Sequence, residues 1–222
     1  MRAGAYRILL VCTGNTCRSS MAQVLMRRLV QERGMSGVEV SSAGLAAFEG
    51  APATPLAVQV MKDEGLDLAG HRAHRLAATD VARADLILTM TADHKRALLG
   101  QYPQAHGRVF VLLEYAEGKD LDPLLLRLHL LEQLEEARHN QQSKQPPESS
   151  RARSVPDGGD DLADEREKLE LQRELAAYEI EDPIGGDLEV YRDTARKIRA
   201  ALEKAVDRLT RELEQKGKEE SG

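Results

Sequence analysis

The sequence predicts an α/β fold: a doubly wound, four-stranded parallel sheet flanked by helices, with a helical and flexible insertion. Three observations carry that expectation. Three short, nearly continuous apolar runs and one alternating stretch, Val38 to Ser41, recur between Arg7 and Leu113, and the continuous runs have the pattern of strands buried on both faces of a parallel sheet. Stretches with helical periodicity separate them, and strands alternating with helices imply parallel crossovers. The first run ends in a Gly-Asn turn that leads straight into a helix, which sets polar residues at the carboxyl end of a strand.

In chain order, Arg7-Ile8-Leu9-Leu10-Val11 reads as the first strand, broken by Gly14 and Asn15. A helix is expected from Ser19 to about Arg33, with Met21, Val24, Leu25, Leu29 and Val30 on one face. Val38 to Ser41 reads as the second strand. Thr54-Pro55 pairs an N-cap with a first-turn proline and opens a helix to about Glu64. Ala84 to Met90 is the third strand, a helix follows from about Ala92 to Leu99, and Val109 to Leu113 is the fourth strand.

After Tyr115 the character of the chain changes. Leu124 to Arg138 is leucine-rich and helical in pattern, Asn140 to Asp161 has the Gln/Ser/Pro/Gly composition of a flexible linker, and Leu162 to about Tyr178 is a charged helix. Leu162, Leu169 and Ala176 stand at heptad spacing there, too few repeats for a coiled coil. A turn-forming stretch, Ile180 to Gly186, precedes a last helix from about Leu188 to Leu213 and a polar tail. The chain therefore divides into one domain, 1–123 with 180–222, and an inserted segment, 124–179. The apolar face of the first inserted helix, with Leu124, Leu128 and Leu131, requires a partner: the second helix, the core, or another copy of the chain.

Charge and cysteine content narrow the classes of function. The net charge of the 222-residue chain is -6, which argues against a general nucleic-acid binder. Leu124 to Glu179 holds 13 acidic and 8 basic residues, so most of that charge sits in the insertion. The two cysteines, Cys12 and Cys17, form no disulfide framework, and no paired Cys/His motif of zinc spacing accompanies them. No signal-peptide pattern and no membrane-spanning apolar stretch is evident, so a cytoplasmic location without membrane or nucleic-acid partners is expected.

The chemistry lies in Cys12-Thr13-Gly14-Asn15-Thr16-Cys17-Arg18-Ser19. A loop between a strand and a helix can aim successive backbone N–H groups at an anion, reinforced by the positive end of the helix. Gly14 and Asn15 tolerate left-handed backbone angles. Positive potential stabilises a cysteine thiolate, the nucleophilic form. The planar fork of Arg18 grips two phosphate oxygens at once, and the Ser19 hydroxyl can hydrogen-bond the sulfur. Such a loop is equipped to attack phosphorus and form a phosphocysteine. Thr13, Gly14, Asn15, Thr16, Cys17 and Ser19 are the substrate-binding candidates, and neither a cofactor nor a metal is called for.

This string, followed by Met21-Ala22, resembles the signature of the low-molecular-weight protein phosphatases. The resemblance extends through Ser42-Ala43-Gly44, Ala53-Thr54-Pro55, Ala84 to Met90 and Glu114-Tyr115, and resumes at Asp182-Pro183. Ser20 and Gln23 depart from it, where the family usually has proline and glutamate. Both are expected to lie outside the cradle and to matter modestly. The family places an Asp-Pro pair near the C-terminal end as general acid. Of Asp122-Pro123 and Asp182-Pro183, the second fits, because Gly185-Gly186, Tyr191 and a long amphipathic helix follow it. Ile184 stands where many members carry an aromatic.

The cradle resembles most the branch acting on phosphoarginine in proteins, where a threonine at the position of Thr16 selects arginine. Phosphotyrosine is the second reading. Arsenate reduction requires further cysteines that the chain lacks, and a non-catalytic phosphoprotein-binding module would not need both Cys12 and the acid. Cys17 reads either as a reversible disulfide partner of Cys12 or as a buried loop-filling thiol. By the same resemblance His71 braces the loop, whereas His94 and His129 read as helix-surface residues. The expected partners are phosphorylated proteins, with self-association through the insertion as a further reading.

Overall fold

The computed structural model describes residues 5–143 and 159–219. It divides into two units, Met1–Lys119 with Tyr178–Gly222, and Asp120–Ala177. In chain order the elements are β1 (Tyr6–Cys12), α1 (Arg18–Glu32), β2 (Val38–Gly44), α2 (Pro55–Asp63), α3 (Ala78–Arg83), β3 (Leu86–Thr89), α4 (Ala92–Gln101), β4 (Val109–Val111), α5 (Leu112–Glu117), α6 (Asp122–Ser143), α7 (Gly159–Ala176) and α8 (Leu188–Glu219).

The four strands of the first unit form one parallel sheet in the order β2-β1-β3-β4. The order reverses direction at β1, so the loop leaving Cys12 opens at the point where the helices on either side diverge, the usual ligand crevice of such sheets. Strand alternation sorts the core into two layers. Ile8, Leu10 and Cys12 face one way, packed with Met21, Leu25 and Leu29 of α1 and with Ile198, Leu202 and Leu209 of α8. Leu9 and Val11 face the other way, against Val81 of α3 and Leu98 of α4. Full burial of each such Leu or Ile is worth about 1.5–3 kcal/mol, so α8 is an integral layer of the first unit.

The boundaries differ from the sequence reading where side chains cap a helix. The fourth strand stops at Val111 instead of Leu113, because Glu114 accepts the Val111 N–H at 2.8 Å and starts α5. Gly118, at φ 68°, closes that helix in the left-handed conformation. The third strand begins at Leu86 rather than Ala84. Ala84 instead ends α3, a helix too short to leave a periodic signal, which Asp80 opens by accepting the Ala77 N–H at 2.8 Å. The last helix continues past Leu213 to Glu219.

In the second unit α6 and α7 pair antiparallel, joined by Arg127–Glu167, Lys168–Glu135 and Arg138 with Asp161 and Asp164. Leu128 and Leu131 of α6 and Leu171 and Leu175 of α7 are buried. The heptad leucines Leu162 and Leu169 are exposed. Both helices run into the stretch read as linker, and its residues 144–158 lie outside those described. No helix among the described residues is long and apolar enough to cross a membrane.

Candidate active site

The site grows from the carboxyl end of β1. Cys12 is the last residue of that strand, and its side chain is buried. The chain then turns through Thr13 to Cys17 before α1 begins at Arg18. Two groups address the Cys12 sulfur: the Ser19 hydroxyl at 2.9 Å and the Asn15 N–H at 3.3 Å.

Asn15 shapes the turn. It holds a left-handed φ of 56°, a conformation in which asparagine is favoured over most residues. Its side-chain amide donates to Ser19 Oγ at 2.9 Å and to Ser42 Oγ at 2.8 Å, and its Oδ1 accepts the His74 N–H at 2.9 Å. Because Ser19 Oγ accepts from Asn15, its own proton is free to point at the sulfur. His71 Nε2 donates to the Asn15 carbonyl at 2.7 Å. Ser42 Oγ donates to Gln23 Oε1 at 2.6 Å. Gln23 lies outside the turn, in α1, and holds the Ser42 that accepts from the Asn15 amide. Ser20, the other departing position, donates to the Cys17 carbonyl at 2.8 Å.

The end of β2 braces the turn from the other side. Leu45 N–H reaches the Cys12 carbonyl and Ala46 N–H the Thr13 carbonyl, both at 2.9 Å. This approach leaves no room at Gly44, where an added Cβ would meet the Thr13 carbonyl oxygen at 2.6 Å and Asn15 N at 2.9 Å.

Arg18 is nearly buried, with 6% of its side chain exposed. It donates to the Ile180 carbonyl at 3.3 Å and is ion-paired with the Asp182 carboxylate. Asp182 also accepts the Ile184 N–H at 3.2 Å, which fixes the turn of the Asp-Pro pair, and Gly185 relieves it with φ 86°. Asp122 opens α6 in the second unit. Thr16 is half-buried, and its hydroxyl lies 3.7 Å from Cys17 Sγ. Cys17 also has Thr54 Oγ1 at 3.5 Å and the Tyr191 hydroxyl at 3.6 Å, and both cysteines are free thiols.

His94 overturns its reading as a surface residue. It is buried at the start of α4, with Nε2 2.8 Å from the Thr13 hydroxyl and Nδ1 2.8 Å from the Thr91 hydroxyl. Burial, then the Arg18 cation, pushes its imidazole down to about 4, against smaller opposing effects of Asp93 and Asp182. The signal available in sequence was the Thr91-x-x-His94 spacing. It places His94 in the first turn of a helix that starts at the same sheet edge as the cradle.

Residues 7–126 match the family model described as low molecular weight phosphotyrosine protein phosphatase. The chain is 43% identical over 126 residues to the "Probable low molecular weight protein-tyrosine-phosphatase EpsP" of Ralstonia nicotianae, covering 57% of this chain and 83% of that one. It is 41% identical over 117 residues to the "Protein-arginine-phosphatase" of Geobacillus stearothermophilus, covering 53% and 76%. Among solved structures, the YwlE arginine phosphatase from Geobacillus stearothermophilus superposes with a TM-score of 0.61 at 28% identity, covering 96% of each chain. A YwlE mutant from Bacillus subtilis gives 0.64 at 25% identity, covering 93% of this chain and 99% of that one. The chain belongs to the low-molecular-weight protein phosphatase family and is a cysteine-dependent phosphatase of phosphorylated proteins.

Proposed function

We propose that the protein hydrolyses phosphoarginine in proteins through a phosphocysteine intermediate, with Cys12 as nucleophile, Arg18 as phosphate clamp and Asp182 as general acid. The observation that carries the mechanism is the hydrogen bonding at one sulfur. Ser19 and the Asn15 N–H both address Cys12 Sγ, and Arg18 stands buried at the start of the same helix. Donors aimed at sulfur favour the thiolate, and a guanidinium fork matches the oxygens of a phosphoryl group.

In the first step the Cys12 thiolate attacks phosphorus, an S–P bond forms and the P–N bond to the guanidinium side chain breaks. Asp182 gives its proton to the departing nitrogen. In the second step Asp182, now a carboxylate, takes a proton from water as the water oxygen attacks phosphorus. The S–P bond breaks, releasing inorganic phosphate and the thiolate. Backbone N–H groups of Thr13 to Cys17 and the N-terminus of α1 stabilise the charge that gathers on the phosphoryl oxygens. Arg18 is engaged by Asp182 in the structure. Phosphate competes for that fork, and its arrival leaves the carboxyl group beside the leaving atom.

Thr16 supports phosphoarginine over other substrates. A hydroxyl offers a guanidinium or a bridging water a partner, and a site that must satisfy such a group discriminates more sharply than one lacking a methylene. The relatives named as arginine phosphatases agree with this reading. Phosphotyrosine is the second reading, favoured by the 43% identity to a relative named as a tyrosine phosphatase. Hydrolysis of phosphoarginine and phosphotyrosine peptides by the wild type, Cys12→Ser and Thr16→Ile separates them. The proposal expects preference for phosphoarginine, lost in Thr16→Ile, with no turnover by Cys12→Ser. Preference for phosphotyrosine by the wild type would overturn the substrate and keep the chemistry.

A further inference from the structure

Thr13 follows the nucleophile and is held at two points. Its carbonyl accepts the Ala46 N–H at 2.9 Å, and its hydroxyl meets His94 Nε2 at 2.8 Å. Threonine is stiff about χ1, so fixing Oγ1 fixes how the side chain sits on the backbone of the cradle. His94 is itself fixed. Its Nδ1 lies 2.8 Å from Thr91 Oγ1, and that oxygen also accepts the His94 N–H at 3.2 Å as the N-cap of α4. The turn between β3 and α4 serves the opposite wall too. The neighbouring Met90 carbonyl accepts the Ile180 N–H at 2.8 Å, two residues before Asp182.

We propose that His94 is a positioning residue for phosphoryl transfer: its imidazole ties Thr13 of the cradle to the β3–α4 turn from which the Asp182 segment also hangs. Nucleophile loop and acid loop thereby take their places from one turn. The imidazole is neutral near pH 7, since its burial and Arg18 oppose a charge there, and one ring nitrogen donates while the other accepts. The inference rests on reading the Cys12 loop as the phosphate site.

The side-chain amide of glutamine reaches the place of Nε2, and that of asparagine the place of Nδ1. In the full chain, His94→Asn keeps the Thr91 side of the relay and loses Thr13, whereas His94→Gln keeps Thr13. We expect His94→Asn to lower kcat on an aryl phosphate and to weaken competitive inhibition by inorganic phosphate, each by about tenfold. His94→Gln recovers most of both, and adding Thr13→Val to His94→Asn costs little more. Equal losses in the Asn and Gln variants, or no loss in either, would overturn the inference. Should His94→Asn fail to fold, Thr13→Val alone decides: it must weaken phosphate inhibition, and wild-type inhibition by phosphate contradicts the proposal. A Cys12→Ser control separates the two levels. Turnover by that variant removes the reading of the site. Its inactivity beside an unimpaired His94→Asn removes only the role of His94.

Discussion

Asn15 and His94 show how much a single side chain decides here. Asn15 spends its donors on Ser19 and Ser42 and its acceptor on His74, so that turn, helix and second strand meet at one amide. Its left-handed need was legible from the Gly-Asn pair. The burial of His94 was not, because helical periodicity marks apolar faces and is silent about a polar residue facing a loop from another part of the chain. That burial has a consequence for stability. The folded protein keeps His94 neutral down to about 4, while the unfolded chain takes up a proton near the ordinary value of 6.5. Between those values the unfolded state binds more protons, so stability falls as pH falls, by up to about 3 kcal/mol at this site. Desolvation acts on His71 in the same direction. His74, raised by Asp80 and then Glu49, works the opposite way and loses its contribution as pH rises through its folded value. Urea titrations at neutral and mildly acidic pH are therefore expected to show the wild type losing more stability on acidification than His94→Gln. Parallel losses would contradict this.

Among the elements, the end of β2 and the α4–α5 pair have the sharpest consequences. Gly44 touches the cradle backbone itself, and backbone does not swing aside as a side chain can. Gly44→Ala is expected to lower kcat about a hundredfold and to cost about 1–3 kcal/mol, read by aryl phosphate kinetics and denaturant titration. Unchanged kinetics would show that the turn can yield. Lys95 of α4 and Glu114 of α5 are paired at 2.8 and 3.0 Å with 1% of each side chain exposed, and Glu114 also caps α5. Lys95→Met removes the cation that faces a buried carboxylate and is expected to cost about 3–5 kcal/mol, measured as a shift of the unfolding midpoint. Strand and helix order could be read from apolar runs. The early end of β4 could not, since it depends on a carboxylate finding a particular N–H, and helix-forming and strand-forming residues overlap across Leu112 and Leu113.

At the scale of the whole molecule, the first unit contains its own sheet, both core layers and every candidate site residue, although its chain is interrupted between Lys119 and Tyr178. Replacing residues 120–177 by a short Gly/Ser linker is expected to leave a cooperatively unfolding protein that still hydrolyses an aryl phosphate. Loss of folding would show that the second unit is required. The change of composition after Tyr115 lies close to the start of the second unit at Asp120, and α8 closing the core of the first unit was legible in a long amphipathic period. The central claim is covalent, and mass spectrometry of acid-quenched enzyme tests it most directly. With the wild type quenched in acid during turnover of a phosphoarginine substrate, the account predicts one phosphoryl group on the sulfur of Cys12, a linkage that Cys12→Ser cannot form. A phosphoryl group on another residue, or full turnover while Cys12 stays unmodified throughout, would contradict it.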